Sequence, residues 1–374
     1  MNTSLELGFY HAGESRTELD GQHFRTGGSE TATTTLKWEV PMAFGKIGQT
    51  FSALEIYDLV RGDLAKVEKE IGVETIASIE AINYINQYLQ AAGGKRLRPI
   101  LVLLSGRLFG ETTPGLIRMA AVVEMIHTAT LVHDDVIDLA KTRRGRPSVN
   151  VVWGNHTSVL AGDWLYMQAF HVALRERQFP ILDVLINLTQ MMVEGELLQL
   201  DRIGKIAVTE ADYMELIDRK TASLFGACAR LGAIASGAGS DAEAKLGEYA
   251  WNLGIAFQLV DDILDFTSRE KILGKPVGND LREGKVTLPL IYALETADNE
   301  ERKLVETVLA DGNYDQVPFS KVLNILNRNR GIERAQERAQ SFTNKARSII
   351  AEFPESPYQR ALTAVTDLVT ERDR

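Results

Sequence analysis

The chain has 374 residues, 45% hydrophobic and 25% charged, an ordinary globular composition with length for two domains or one large all-helical one. Lys plus Arg total 41 against 51 Asp plus Glu, a net charge of −10, which argues against a nucleic-acid binder. An anionic small substrate stays open, since a local group of cations can reverse the field inside one cleft.

Residues 1–50 are rich in Thr, Gly, Ser and Glu, with the run Thr31-Ala32-Thr33-Thr34-Thr35 and no lasting apolar periodicity. They read as a disordered or loosely attached tail, the other reading being an ordered arm against a partner subunit. The first residues lack a basic-then-apolar signal layout, and Glu6, Glu14, Glu18 and Asp20 count against a transit peptide. No uninterrupted apolar run nears the ~20 residues of a membrane span. The single cysteine, Cys228 in Phe225-Gly226-Ala227-Cys228-Ala229, has no intrachain partner and reads as a buried packing residue. A cytoplasmic protein is the expectation.

Residues 51–374 read as one all-α domain. Leu54, Tyr57, Val60 and Leu64 recur at helical spacing. Ile76, Ile79, Ile82 and Ile85 continue in a second helix that stops at Gly93-Gly94. Helical patterns follow at about 114–138, 157–177, 180–202, 210–237, 241–267, 284–296, 317–329, 331–352 and 356–371. Pro114, Pro180, Pro289 and Pro354 lie near their starts or ends. The one β-type run, Val149-Asn150-Val151-Val152-Trp153, is short and ends at a glycine. No fixed repeat period occurs, so a solenoid is excluded.

The one internal echo is an acid motif. His133-Asp134-Asp135-Val136-Ile137-Asp138 and Val260-Asp261-Asp262-Ile263-Leu264-Asp265 each place Asp-Asp-x-x-Asp within apolar sequence, where lone carboxylates are costly. On a helix Asp134 and Asp138 stack on one face, about 6 Å apart along the axis, and Asp135 points elsewhere. Asp261 and Asp265 repeat that geometry. Such pairs suit Mg²⁺, which takes one or two carboxylates plus substrate phosphate and water. The two clusters are therefore expected on helices facing each other across a core cavity.

Cations accompany them. Gly93-Gly94-Lys95-Arg96-Leu97-Arg98-Pro99 joins a flexible turn to a helix start, an arrangement suited to an anion. Lys141-Thr142-Arg143-Arg144-Gly145-Arg146 follows the first acid cluster; Lys220-Thr221, Gly274-Lys275 and Lys285 come later. Arg forks grip phosphate bidentately and Lys acts as a point charge, so carboxylates and cations in one cleft suit diphosphates.

In this order, with Phe257-Gln258-Leu259 before the second acid motif, these residues make the chain resemble the trans-isoprenyl diphosphate synthases of the polyprenyl synthetase family. The likeness covers about 51–300 and is strongest to the long-chain, octaprenyl or solanesyl type. It departs at Leu139, where many relatives carry Glu. The resemblance implies the isoprenoid synthase fold, a single bundle of long, mostly antiparallel helices around a central cavity. It implies condensation of isopentenyl diphosphate, head to tail, with an allylic diphosphate, releasing diphosphate.

By the same resemblance, Lys95, Arg98, His127 and Arg144 would hold the isopentenyl diphosphate. Arg143, Lys220, Thr221, Gln258, Lys275 and Lys285 would contact the allylic diphosphate. Asp134, Asp138, Asp261 and Asp265 would hold Mg²⁺, three ions with diphosphate bound. Asp134, Asp138, Asp261, Lys220 and Arg143 form the catalytic set, and a homodimer is implied. Metal ions and cations aimed at the leaving group stabilise its charge as the carbon–oxygen bond breaks.

Helical side chains tilt toward the N-terminus, so Ala129 and Thr130 lie about one turn below the first acid cluster, at the wall down which a product chain would grow. Bulky aromatics near these positions stop growth early in the family; small residues here imply a long product. The alternatives are a farnesyl- or geranylgeranyl-length product, or a non-catalytic regulatory subunit, although such subunits typically lose part of the acid motifs. A class I terpene cyclase would need no Lys95/Arg98 site, and head-to-head condensing enzymes lack the Gly-Gly-Lys-Arg signature.

Overall fold

The computed structural model describes residues 51–267 and 277–370; the tail of residues 1–50 and the Gly274-Lys275 pair lie outside the described residues. Ser52 starts the first helix, α1 (Ala53–Glu74), through a capping box: its hydroxyl accepts from the Glu55 N–H and Glu55 reaches back to the Ser52 backbone. The buried face of α1 is Ile56, Val60, Leu64, Val67 and Ile71, so Leu54, counted in the expected stripe, stays exposed. α2 (Glu80–Ala91) starts later than its isoleucine periodicity suggests. Ile76 lies before it and Ile79 at its N-cap, both exposed.

α3 (Leu97–Arg107) is the helix that starts at the Gly-Gly-Lys-Arg motif, and residues 99–106 of it are all buried. A helix buried on every side carries no polar stripe, which is why its length was not legible as a period. α4 (Pro114–Ile137) is capped by Thr113, with Pro114 in its first turn. By length and mean hydropathy it could cross a membrane, but Arg118, Glu124 and His127 interrupt its apolar run and 67% of its most apolar window is buried inside the fold. It is a core helix here, packed on α1 and α3.

After α4 a two-stranded antiparallel hairpin pairs Thr142–Arg143 with Arg146–Pro147. Val149–Trp153, expected as a β-type run, is the short helix α5 instead. Ser148 fixes its entry by donating from Oγ to the Ala140 carbonyl, and such a context overrides the weak strand preference of three valines. α6 (Asn155–Leu174) and α7 (Phe179–Arg202) follow, with α6 packed along α4.

The pattern expected over 210–237 is one helical stretch in three parts: α8 (Glu210–Ile217), a π turn (Asp218–Ala222) and α9 (Ser223–Ala235). α10 (Ser240–Thr267) runs through the core beside α9. Short α11 (Asn279–Arg282), α12 (Leu288–Thr296), α13 (Asn299–Asp311), α14 (Phe319–Arg328), α15 (Gly331–Ile350) and α16 (Pro357–Thr370) complete the chain. α15 and α16 pack on α10, whose buried Tyr249 donates its hydroxyl to the Leu362 carbonyl at 2.7 Å. Cys228 is fully buried and its thiol is pushed up to about 12 by burial, which agrees with a packing role.

Candidate active site

The Gly-Gly-Lys-Arg turn is built by its unassigned member. Arg96 takes a left-handed backbone (φ 50°) and turns its guanidinium inward. There Nε and Nη2 donate to Glu68 of α1 at 2.5 and 3.1 Å, and Nη1 to the buried Glu124 of α4 at 2.6 Å. That anchor leaves Lys95 exposed and turns Arg98 toward α4. A Cβ on Gly94 would lie 2.9 Å from an Arg144 Nη atom, so the bare glycine backbone lets Arg144 lie against this turn.

Arg98 donates from Nη1 to His127 Nε2 at 3.0 Å. A guanidinium can only donate, so Nε2 must accept and the ring proton sits on Nδ1. Burial, then Arg98, Arg144, Arg143 and Arg96, hold the His127 pKa well below its ordinary value, so the ring is neutral at pH 7. Burial also lowers the pKa of Arg98, Arg144 adds to this, and Asp261 on α10 opposes it. Arg98, His127 and Arg144 thus form one positive pocket, in the electrostatic reach of the second acid cluster.

The first acid cluster ends α4. Asp138 is the C-cap, its N–H donating to the Asp134 carbonyl at 2.8 Å, so the four-residue stacking holds to the last turn. Burial pushes the Asp134 carboxyl up to about 6; Glu196 and Asp138 add to the rise, and Lys220 and Arg143 work against it. Asp135 does point elsewhere. It is buried, and Arg143 donates to its Oδ1 from Nε at 2.8 Å and from Nη2 at 2.6 Å. Arg143 is therefore held at the foot of the cluster by its middle acid.

Facing it, α7 and the π turn meet through Lys220. Its Nζ donates to Glu196 and, at 2.9 Å, to Gln199 Oε1. Neither Glu196 nor Gln199 was singled out from sequence, although two acids flanking Gly195 inside an apolar helix were a usable signal. A cavity of about 200 Å³ opens there, bordered by Lys220, Thr221, Gln258, Asp262, Asp280 and Lys285 among others. Burial acts to lower the Lys285 pKa, but Glu283, Asp138 and Asp280 outweigh it and hold it above the ordinary value.

The members of the second cluster are unequal. Asp261 is half-buried. Asp262 is buried, accepting from Tyr213 Oη at 2.5 Å and from Gln258 Nε2 at 2.8 Å. Burial, with Asp280 and Asp261 beside it, pushes the Asp262 pKa well up. Asp265, expected to mirror Asp138, is fully buried, and its Oδ2 accepts the Asp280 N–H of α11 at 3.1 Å. Expected to share the product wall, Ala129 is closed off from solvent, while Thr130 is half-buried and donates from Oγ1 to the His127 carbonyl at 2.8 Å.

A divalent cation fits this donor set. Half-buried Asp134 and exposed Asp138 present hard oxygens that repel each other, the condition a divalent cation relieves. Among the described residues no three His, Cys, Asp or Glu side chains converge into a ready-made cage. Mg²⁺ accepts one or two carboxylates and shares its remaining positions with phosphate oxygen and water.

In class, the fold is that of the all-α isoprenyl diphosphate synthases. The structure of a decaprenyl diphosphate synthase from Rhodobacter capsulatus superposes with a TM-score of 0.82 at 37% identity, covering 86% of this chain and 100% of that one. A polyprenyl synthase from Caulobacter crescentus CB15, solved with calcium and isoprenyl diphosphate, gives 0.80 at 33% identity over 87% and 99%. The chain belongs to the polyprenyl synthetase family, whose model matches residues 79–326. Octaprenyl diphosphate synthase of Escherichia coli (strain K12) is 36% identical over 320 residues, 86% of this chain and 99% of that protein.

Proposed function

We propose that this polyprenyl synthetase condenses isopentenyl diphosphate head to tail with an allylic diphosphate and makes a long-chain all-trans polyprenyl diphosphate. The observation that carries the reading is the apposition of two unlike half-sites. The Arg98–His127–Arg144 pocket lies within the electrostatic reach of Asp261, and the Asp134/Asp138 pair faces Lys220.

In this reading Lys95, Arg98, neutral His127 and Arg144 bind isopentenyl diphosphate. Arg143, held by Asp135, joins Lys220, Gln258 and Lys285 around the allylic diphosphate, with Lys275 in the same set and Thr221 setting the turn that carries Lys220. Asp134, Asp138 and Asp261 would hold Mg²⁺, three ions when diphosphate is bound, with Asp265 acting from behind by fixing α11. Bound there, Mg²⁺ would supply positive charge to offset the charge on the diphosphate leaving group. Lys220, Arg143 and Lys285 orient the same group and share its charge. The isopentenyl alkene then forms the new carbon–carbon bond, and the proton it loses goes to the released diphosphate, so no dedicated protein base is required.

Incubating the purified protein with isopentenyl diphosphate, geranyl, farnesyl or geranylgeranyl diphosphate and Mg²⁺, then sizing the products, tests this directly. A ladder ending near eight to ten prenyl units is expected by likeness to the matched synthases. Products stopping at farnesyl or geranylgeranyl length would favour the short-chain reading, and none with any primer the regulatory-subunit reading. Ala129→Phe should shorten the product, because a ring at that position must displace the growing chain's wall; an unchanged product length sinks the wall assignment.

A homodimer belongs to the same proposal. Leu160, Met167 and Leu174 on α6, and Ile186, Val193 and Leu200 on α7, are exposed at seven-residue spacing. Two such apolar stripes on adjacent helices form a face that a second copy would cover.

A further inference from the structure

We propose that Tyr213 is a positioning residue for the allylic-diphosphate half of the site, acting through the middle acid Asp262. The inference rests on the function proposed above and adds to it a residue outside both acid motifs.

The starting point is the π turn Asp218–Ala222, the segment that carries Lys220 and Thr221. A single π turn inside an α-helical stretch is a less favourable backbone and persists where its surroundings hold it. Two bare backbones clamp this one. A Cβ on Gly195 of α7 would lie 2.8 Å from the Lys220 nitrogen, and a Cβ on Gly254 of α10 would lie 2.8 Å from the Ala222 Cα. The first residue of the turn is tied by Trp251 Nε1, which donates to Asp218 Oδ1 at 2.5 Å.

The far end of the turn is tied by a chain of hydrogen bonds. Asp262 is the acceptor at the centre of this chain. It takes the Tyr213 hydroxyl at Oδ2 (2.5 Å) and the Gln258 Nε2 at Oδ1 (2.8 Å). With its amide nitrogen turned to Asp262, Gln258 must present Oε1 to the turn, and Thr221 Oγ1 donates to it at 2.9 Å. The only hydroxyl hydrogen of Thr221 is thereby spent on Gln258. In this arrangement Thr221 sets the turn, and Lys220 beside it is the group that meets the anion.

Tyr213 closes the chain from α8. It is buried, and its hydroxyl fixes which way the Asp262 carboxylate lies. Without that hydroxyl Asp262 is free to rotate, Gln258 loses its fixed orientation, and the Lys220–Thr221 turn loses the tie on its cavity side. Among the described residues the pocket at Arg98, His127 and Arg144 shares no hydrogen bond with this chain, so isopentenyl diphosphate binding should be spared.

The test compares wild type, Tyr213→Phe, Thr221→Val and the double variant. Its readouts are steady-state kinetics for each substrate, thermal melting, and calorimetric binding of unreactive farnesyl thiodiphosphate with Mg²⁺. Tyr213→Phe keeps the buried ring. It should raise the allylic KM and the analogue's Kd about tenfold, the loss usual for an outer-shell partner, with the KM for isopentenyl diphosphate unchanged within about twofold. In the Thr221→Val background the same change should cost less than about threefold, because the two residues act along one chain.

An allylic KM and an analogue Kd that both stay within about twofold would overturn the proposal. So would equal losses for both substrates accompanied by a fall in melting temperature, or a Tyr213→Phe effect in the Thr221→Val background as large as in wild type. If wild type makes no product yet binds the analogue more tightly than Tyr213→Phe, the function reading fails and the positioning role stands. If wild type does not bind the analogue, both fail.

Discussion

Replacing Asp134 with Asn should abolish most activity while stabilising the metal-free protein. Turnover is expected to fall about a thousandfold, since an amide is a poor ligand for a hard cation and the leaving group loses part of its charge stabilisation. The stability change has the opposite sign. Burial raises the Asp134 pKa from 3.8 to about 6, so the folded apoprotein holds this proton more tightly than the unfolded chain does. The stabilisation linked to that proton is fully present below pH 3.8 and is lost as pH rises through about 6. Above that pH wild type is destabilised by about 3 kcal/mol relative to a neutral side chain, an order-of-magnitude figure from the shift. Melting in EDTA from pH 4 to 8 should therefore show the Asn variant gaining on wild type as pH rises. A variant that melts lower at pH 7.5, or keeps more than a tenth of wild-type turnover, would count against this role for Asp134.

Arg98→Ala should act on one substrate only. Arg98 directs Nη1 to His127, and its Nε is buried without a hydrogen-bond partner among the described residues, a guanidinium with donor capacity to spare. Its loss should raise the KM for isopentenyl diphosphate about a hundredfold, the scale of a charge-assisted bidentate contact removed from a poorly solvated pocket. The allylic KM should move by no more than about threefold. Arg98→Lys should recover only part of the loss, because a point charge cannot reproduce the fork. Equal changes for both substrates would mean that Arg98 supports the fold rather than one half-site.

What was legible in the sequence is what is contiguous there. The two acid motifs, the Gly-Gly-Lys-Arg turn and Lys220-Thr221 each declare themselves over a few residues, and the long amphipathic patterns set the fold class. Contacts between helices are different, since no spacing along the chain encodes them. Glu196 and Gln199 on α7 meet Lys220, and Tyr213 meets Asp262, only because three helical segments converge. The equivalence of the clusters was likewise a sequence-level symmetry that packing breaks: Asp138 caps a helix end, whereas Asp265 is sealed in the interior against α11. Local chemistry misled at Val149–Trp153, where strand-favouring valines form a helical turn. Over 210–237 the helical period is legible in the sequence but the π turn within it is not, since one extra residue in a turn leaves the apolar pattern on either side intact.

The middle acids carry a common lesson. Asp135 holds Arg143 and Asp262 holds Gln258, so in each motif the second carboxylate is a buried anchor for a neighbouring polar group. The outer acids Asp134, Asp138 and Asp261 are left as the candidates for metal.

That the two clusters serve one metal–diphosphate site is tested most directly by anomalous diffraction from crystals grown with Mn²⁺ and farnesyl thiodiphosphate. Manganese is expected against Asp134 and Asp138, with further density against Asp261, all bridged by the same diphosphate. Metal at one cluster alone, or a diphosphate lying away from both, would contradict it.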